Sequence, residues 1–453
     1  MPGTALLAAL DAGHLVPVVA PDDPSLWLAA AELAALTGHA EEALADIRRA
    51  GQMSPTLRLR ARCIEAELAI EAGQTATGEI AALDVLTEGL ATGDRTACVR
   101  ARLAVVRAKV RDGRYRSALD DLPRLRREID ADAGATDEQR TFRRAICDHL
   151  EAYSSLKLGD SNSALAGAHR AIGEFVRLGA GRWEGWARGI LGLAMLERGE
   201  FDSALREFER SETCAASLGM VPHMLMARNN CALVMMASGR VGDAATALRA
   251  SLDTKTGTVA DVQCRVLLAL ALGTLQRKTE ARTAARKAVE IADELAHEET
   301  GGDARILATW LDGNFDRLHQ LLKRAEQRGR PFQVRLALVC MADLEPASKP
   351  DRAERLLKRA DELTERADEL SPLVDRIRAR LGDAAIRVEA GAIVIDTTRA
   401  IPHLDDAVEA VERMLLDAAM KRGDYVQRRA AGLLGISPTR ILYLRRKLDK
   451  MAD

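Results

Sequence analysis

The sequence of 453 residues has few aromatic side chains, since Phe, Trp and Tyr make up 3% of it while 47% of the residues are hydrophobic. Alanine and leucine dominate the hydrophobic residues, and runs of β-branched residues are scarce. This composition favours helices, and a single large core would normally contain more aromatic bulk. We therefore expect an all-α chain with a quasi-linear architecture.

An excess of charge of one sign is also missing. The 65 basic and 67 acidic side chains give a formal net charge of -2, so no global field indicates nucleic acid or a membrane surface. The mildly apolar stretch at residues 6–19 is interrupted by Asp11 and His14 and follows no basic segment. We expect neither a signal peptide nor a membrane span, and any electrostatic signal must be local.

Patterns typical of catalysis and metal binding are absent from the sequence. The seven cysteines are widely spaced without a Cys-x-x-Cys pair, which is typical of buried thiols in a reducing cytosol. The eight histidines lie apart, and no Gly-x-x-x-x-Gly-Lys-Ser/Thr phosphate loop occurs. These absences predict a cytoplasmic protein that is not an enzyme and has no metal or cofactor.

A repeat organises the body of the chain. Three glycines lie 40 residues apart, and each precedes an alanine by five residues: Gly159 with Ala164, Gly199 with Ala204 and Gly239 with Ala244. The same pair occurs at Gly38 with Ala43 and at Gly113 with Ala118. A glycine can end one helix at positive φ, and the alanine lets a second helix pack closely against the first. The pattern predicts repeated helical hairpins.

The unit around Ala43 resembles a tetratricopeptide repeat. It contains Trp27 in the first helix, Gly38 in the turn, Ala43 and Ala50 in the second helix, and Pro55 at the end. The 40-residue spacing is similar to the longer repeats in sensor domains of maltose-activator-like bacterial regulators. The resemblance implies a solenoid over roughly residues 25–370, with about eight or nine hairpins and a concave face lined by the first helices.

Such a concave face is expected to bind a protein or peptide. The repeat register places six candidate partner contacts on it: His149, Tyr153, Trp186, Met226, Asn229 and Asn230. The asparagine amides could pair with the backbone of an extended peptide, and methionine could provide an adaptable apolar floor. The alternative interpretation is that these residues stabilise turns and the packing between repeats.

The hydrophobic period changes after the repeats. Two β-branched runs, 386–388 and 393–395, flank Gly391, and Pro402 precedes the next helix. This pattern predicts a short hairpin or an extended linker. We therefore predict a helical-repeat domain at residues 1–380, a linker at 381–402 and a small C-terminal domain at 403–453.

The C-terminal segment has the pattern of a helix-turn-helix. An amphipathic helix from Asp405 ends at Gly423, a short helix follows at about 426–434, and a third helix begins at Pro438. Two steeply crossing helices need a small side chain, a glycine that accepts positive φ and an apolar anchor, which Ala431, Gly435 and Ile436 provide. Ser437 could cap the third helix.

The basic residues cluster in this segment. Residues 421–453 contain nine basic and three acidic side chains. A helical wheel turns Ile441, Leu444 and Leu448 inward. The candidate DNA contacts are Thr439, Arg440, Tyr443, Arg445, Arg446 and Lys447, with Arg428 and Arg429 on the second helix. Arg446 could bind guanine O6 and N7, whereas the flanking basic residues could bind phosphates. An ordinary solvated basic face is the alternative.

Residues 403–450 resemble the Fis-type helix-turn-helix. The matching residues are Leu404, Glu412, Arg413, Gly423, Asp424, Ala430, Ala431 and Leu434 to Ser437. The third helix departs from the family spacing, because Leu442 directly follows Ile441. The resemblance implies dimerisation through residues 405–420, which would place two recognition helices about one DNA turn apart.

Together these patterns predict a nucleoid-associated transcription regulator that binds double-stranded DNA as a homodimer. Its repeat domain is expected to receive a protein, peptide or small-molecule signal. The alternative is a tetratricopeptide scaffold or adaptor whose C-terminal helices mediate protein docking or dimerisation rather than DNA reading.

Overall fold

The computed structural model describes residues 24–444, except 38–39, 50–52, 254–256, 296, 347–348, 365–367, 383–385, 390–391, 396–403, 423–426 and 438–439. The described residues fall into two compact units. The first unit runs to Ala304 and includes residues 368–369, and the second contains the rest from Arg305 onward.

The first unit is a row of helical hairpins. Its helices are α1 (Pro24–Thr37), α2 (Ala40–Arg49), α3 (Pro55–Glu71), α4 (Thr75–Thr92), α5 (Arg95–Arg111), α6 (Tyr115–Asp130), α7 (Asp137–Lys157), α8 (Ser161–Arg177), α9 (Gly181–Glu197), α10 (Phe201–Ser217), α11 (Val221–Ala237), α12 (Val241–Ser251), α13 (Val259–Thr274) and α14 (Lys278–Glu294). Each odd-numbered helix packs against the even-numbered helix that follows it. The odd-numbered helices also pack against one another in sequence, from α1 to α13. The first helices of the hairpins therefore form one continuous face, which we call the inner face.

The turns follow the predicted glycine pattern. Gly159, Gly199 and Gly239 adopt φ values of 85°, 74° and 82°, which confirms their role in ending first helices. The sequence interpretation missed Gly179 and Gly219, which have φ values of 67° and 65° and end the second helices. Positive φ strains residues that carry a Cβ atom, so glycine marks both kinds of turn.

Small residues let the paired helices approach closely. The predicted alanines of the second helices are fully buried: Ala43, Ala118, Ala164, Ala204 and Ala244. At Gly192 of α9, an added Cβ would lie 2.7 Å from the ring of Phe208 on α10. The close packing of these helices therefore depends on a glycine on one helix, which leaves room for an aromatic ring on the other.

The second unit contains the remaining helices and a two-stranded sheet. Helix α15 (Glu298–Leu311) continues into it and is followed by α16 (Phe315–Gln327), α17 (Pro331–Leu344), α18 (Pro350–Asp361) and α19 (Ser371–Gly382). The strands β1 (Ile386–Glu389) and β2 (Ala392–Ile395) pair antiparallel, with Ile386 opposite Ile395. They coincide with the two β-branched runs. Helices α20 (Leu404–Arg422) and α21 (Gln427–Leu434) come next, and residues 440–444 are helical.

The structure confirms the all-α, tetratricopeptide-like architecture with its C-terminal helix-turn-helix. The domain limits at residues 380 and 402 stay predictions. The seven cysteines form no disulfide among the described residues, and all except the half-buried Cys214 are buried. Among the described residues, no helix combines the length and apolar character needed to cross a membrane.

Candidate nucleic-acid interface and inner face

A small hydrophobic core holds the C-terminal helices together. The buried side chains come from α20, α21 and residues 440–444: Leu416, Ala419, Met420, Ala430, Ala431, Ile441 and Leu444. Leu434 at the end of α21 and Ile436 in the turn pack against them. The predicted small residue Ala431 is 1% exposed, and Ile441 is fully buried. The crossing of the two helices therefore follows the arrangement that the sequence predicts.

The turn is closed by backbone hydrogen bonds and by a helix cap. Gly435 has a φ of 67°. The Ile436 amide donates to the Ala431 carbonyl at 3.1 Å. The Arg440 amide donates to the Ser437 hydroxyl oxygen at 3.3 Å, so Ser437 caps the third helix as predicted.

The Gly435→Ala variant should weaken this turn, because a Cβ at positive φ costs about 1 to 2 kcal/mol. An added Cβ meets nothing within 4 Å, so the cost comes from the backbone alone. The expected result is faster hydrogen exchange of amides in α20 and α21. The Gly432→Ala variant is the matched control, because Gly432 is helical and has equal space. That variant should slow exchange, and faster exchange in both variants would contradict this explanation.

The described part of the predicted DNA-contacting surface is exposed. Tyr443 is 58% exposed, and the Arg440 guanidinium lies 5.5 Å from the centroid of its ring. Arg429 on α21 is exposed as well. The predicted contacts Thr439, Arg445, Arg446 and Lys447 lie outside the described residues, as does the side chain of Arg428. The inward positions Ile441 and Leu444 agree with the helical wheel.

Helix α20 presents an exposed apolar stripe beside its buried face. Val408, Val411 and Leu415 are 45%, 38% and 46% exposed, and Ala418 is also exposed. Their spacing of three and four residues aligns them along one face of the helix. We name Val408, Val411, Leu415 and Ala418 the α20 stripe.

The inner face of the first unit contains a chain of ion pairs. Glu32 of α1 accepts from Arg100 of α5 at 2.6 Å, and Arg100 also contacts Glu67 of α3 at 3.0 Å. Glu71 of α3 accepts from Arg107 at 2.7 Å and from Arg182 of α9 at 2.8 Å. A further guanidinium nitrogen of Arg182 donates to the Ala35 carbonyl of α1. These contacts join helices that are as many as 147 residues apart in sequence.

Aromatic rings line the same face. The Arg182 guanidinium lies 4.4 Å from the centroid of Trp186, and that of Arg107 lies 5.4 Å from Trp183. His149 of α7 and His223 of α11 flank the tryptophans, with ring centroids 5.5 Å from Trp183 and 5.3 Å from Trp186, respectively. We call these four rings the aromatic wall.

The electrostatics of the inner face keep its histidines neutral. Burial lowers the pKa of His149 to about 3, and the charge of Arg107 contributes. Burial also lowers the pKa of His223 to about 4, with Arg182 as the next cause. Glu32 has its pKa lowered to about 2, because the attraction of Arg100 and Arg60 outweighs its burial.

The predicted partner contacts occupy different environments. His149 and Trp186 belong to the aromatic wall, and Tyr153 lies beside Tyr115 with ring centroids 6.2 Å apart. Met226 is 41% exposed, and Asn230 is half-buried. Asn229 is 2% exposed, and its amide donates to the Ala260 carbonyl of α13 at 2.9 Å. Asn229 thus joins neighbouring repeats.

The sequence interpretation missed the cationic side chains of the inner face. Arg100, Arg107 and Arg111 recur at intervals of seven and four residues along α5, a spacing that puts them near one face of a helix. The neighbouring positions Val99, Leu103 and Val106 are buried and apolar. A basic stripe beside an apolar stripe in a first helix could have predicted these cationic side chains from the sequence.

A family of known proteins matches the C-terminal part of the chain. Residues 407–451 match the family described as bacterial regulatory protein, Fis family. No curated protein matches the sequence.

Solved structures share the fold of the helical solenoid. A Rap protein complexed with Competence and Sporulation Factor is 13% identical, covers 84% of this chain and 100% of its own, and has a TM-score of 0.58. The Rap conjugation gene regulator of the plasmid pLS20, in complex with the Phr* peptide, is 14% identical, with coverages of 83% and 98% and a TM-score of 0.53. The apo form of the quorum sensor NprR from B. thuringiensis is 13% identical, with coverages of 74% and 97% and a TM-score of 0.52. The chain thus joins a tetratricopeptide-like helical solenoid to a C-terminal helix-turn-helix of the Fis family.

Proposed function

We propose that this protein is a transcription regulator in which the helix-turn-helix binds double-stranded DNA and the solenoid receives a peptide signal. The observation that carries the proposal is the third helix, which Ser437 caps and which exposes Arg440 and Tyr443 from a packed Fis-type core. A capped helix N-terminus with exposed basic and polar side chains suits the major groove and its phosphates.

The peptide part of the proposal rests on the inner face. Two of the similar solved structures are complexes with peptides, a Rap regulator with Phr* and NprR with its cognate peptide NprX. In this chain the inner face combines the aromatic wall with the half-buried Tyr153 and the exposed Met226. Flat rings and a flexible thioether give an adaptable surface for an extended peptide.

The DNA part of the proposal is tested by selection from random duplex DNA with the full chain. An enriched motif is expected, and affinity for it should fall steeply with salt because phosphate contacts release counterions. Enrichment of no motif would favour the scaffold function instead.

Arg446→Ala should weaken specific binding by about 1 to 3 kcal/mol and relax the preference at one base pair, because a bidentate contact to guanine is lost. Fluorescence anisotropy with the selected duplex and with single-base variants measures both effects. Arg116→Ala, which removes an exposed arginine of α6, is the charge-matched control and should leave the affinity unchanged. Equal affinities of the Arg446→Ala variant and the wild type would show that Arg446 does not read a base.

We propose that the α20 stripe forms the homodimer interface. Leu415→Lys should shift the protein from dimer to monomer in light scattering, because a charge would be buried against its symmetry-related neighbour. Leu90→Lys is the matched control, since Leu90 is a 63% exposed leucine of α4 in the first unit. A dimer that survives Leu415→Lys would exclude the stripe as the interface.

The proposed regulator acts in the cytoplasm, in association with the nucleoid, and has no catalytic role. Thiols that are mostly buried and form no disulfide among the described residues suit a reducing compartment. Within the described ranges, no group of three or more His, Cys, Asp or Glu side chains is placed to hold a metal ion.

A further inference from the structure

The ion-pair chain of the inner face has more cations than anions. Five arginines take part or lie beside it, against three glutamates: Arg60, Arg100, Arg107, Arg111 and Arg182, with Glu32, Glu67 and Glu71. Every one of these residues belongs to a first helix, on α1, α3, α5 or α9. Within this set of described residues, arginine charges therefore exceed glutamate charges by two.

Arg111 accounts for one of these charges. It is the last residue of α5, and its side chain makes no hydrogen bond or ion pair with the residues that the structure describes. The residue is exposed, but crowding by surrounding atoms and the charge of Arg107 lower its pKa against the attraction of Glu71 and Tyr153. A solvent-accessible cation that makes no ion pair can bind an external anion, although Glu71 attracts it electrostatically.

Buried donors without acceptors accompany this charge. Arg182 and Trp183 are each 6% exposed. Nε of Arg182 and Nε1 of Trp183 are buried and have no hydrogen-bond partner among the described atoms. Both atoms can only donate, and a buried donor left unpaired costs about 1 to 3 kcal/mol. The complementary group is therefore an acceptor, and the excess charge makes an anion the best one.

The surroundings restrict what kind of anion would fit. Glu71 already bridges Arg107 and Arg182, so a doubly charged group would meet its carboxylate at close range. The rings of Trp183 and Trp186 lie 5.0 Å apart between their centroids, at 75° to each other, and place apolar surface next to the cations. A singly charged head on an apolar or aromatic body matches both features.

We infer that the inner face has a binding site for a carboxylate borne by an apolar or aromatic group, with Arg111 and Arg182 as the cationic partners and Trp186 as the apolar contact. The inference rests on the proposed sensing function, because the carboxylate would belong to the signal, either as the C-terminus of a peptide or as an organic acid. Arg111 binds the carboxylate directly, and the aromatic wall holds the group that carries it.

The test compares acids with their amides on the full chain. One pair of probes is 3-phenylpropionate and 3-phenylpropionamide, and the second pair is a pool of random heptapeptides with free or amidated C-termini. We expect calorimetry to give at least about tenfold tighter binding of the acid in the small-molecule pair, since a charged hydrogen bond is lost in the amide. Tighter binding of the free-acid peptide pool would identify a peptide terminus as the source of the carboxylate, and binding of 3-phenylpropionate alone would identify an organic acid.

Arg111→Gln should remove this preference for the acid. The variant should fold normally, because no hydrogen bond or ion pair of the described chain is lost, and the thermal midpoint verifies this. Arg116→Gln removes an equal charge from the next helix and should keep the preference.

The inference is overturned if wild-type protein binds acid and amide equally, if Arg111→Gln keeps the preference, or if phenyl phosphate binds more tightly than 3-phenylpropionate. None of these three results affects the DNA motif from the selection experiment, so the regulator function would still hold without the carboxylate site. Conversely, if selection enriched no DNA motif while the acid preference was intact, the regulator function would be contradicted and the carboxylate site would still be supported.

Discussion

Asp132→Ala is expected to lower the free energy of unfolding of the first unit by about 3 to 5 kcal/mol, because it would leave a buried guanidinium without its counter-charge. Asp132 follows α6 and is fully buried, and its carboxylate accepts from Arg143 of α7 at 2.9 Å with both side chains at most 4% exposed. The same carboxylate accepts from the Thr96 hydroxyl at 3.1 Å and from the Gly134 amide at 3.1 Å.

Urea unfolding followed by tryptophan fluorescence measures this loss, since Trp183 lies in the core of the first unit. Asp137→Ala is the matched control, because Asp137 pairs with Arg140 but has a side chain that is 96% exposed. An exposed pair contributes about 1 kcal/mol at most. Similar losses in the two variants would mean that burial does not determine how much the Asp132–Arg143 ion pair contributes to the free energy of unfolding.

The Asp132 pair also matters for the inner face. It fixes the beginning of α7, and α7 carries His149 and Tyr153 onto that face. Thr136 caps the same helix end, where its hydroxyl accepts from the Gln139 amide at 3.2 Å. Loss of Asp132 should therefore loosen both α7 and the aromatic wall.

The repeat architecture could be predicted from the sequence because its requirements are local. A turn at Gly159 or Gly199 needs positive φ, and the following Ala164 or Ala204 needs a small volume, so both leave a periodic mark. The helix-turn-helix is predictable for the same reason, since Ala431, Gly435 and Ser437 lie within seven residues. In each case the interacting groups are close in the chain.

The binding surface could be predicted only in part. The repeat register put His149 and Trp186 on the inner face, where the structure places them. The register could not separate Asn229, whose amide bonds to Ala260, from a surface position. It also could not reveal the contact of Arg182 with Glu71, because 111 residues separate them and only the stacking of successive hairpins brings them together.

Acidification should destabilise the first unit well before its carboxylates are protonated. His149 and His223 have their pKa values lowered to about 3 and about 4, with burial as the main cause in both. Between pH 7 and 5 the unfolded chain takes up protons on these histidines while the folded chain does not, so stability falls as the pH falls. Each histidine should cost about 2 kcal/mol over this interval.

The surrounding charges and the pH window identify these histidines as the source. Arg107 faces His149, while Arg182, Arg111 and the opposing Glu71 face His223. The pKa of Glu32 is lowered to about 2, so its contribution is lost only below its unfolded value of about 4.5, outside the window. Urea midpoints at pH 7, 6 and 5 should therefore become nearly constant in the double variant His149→Phe, His223→Phe. His169→Gln, at an exposed position on α8, should keep the wild-type slope, and an unchanged slope in the double variant would refute the assignment.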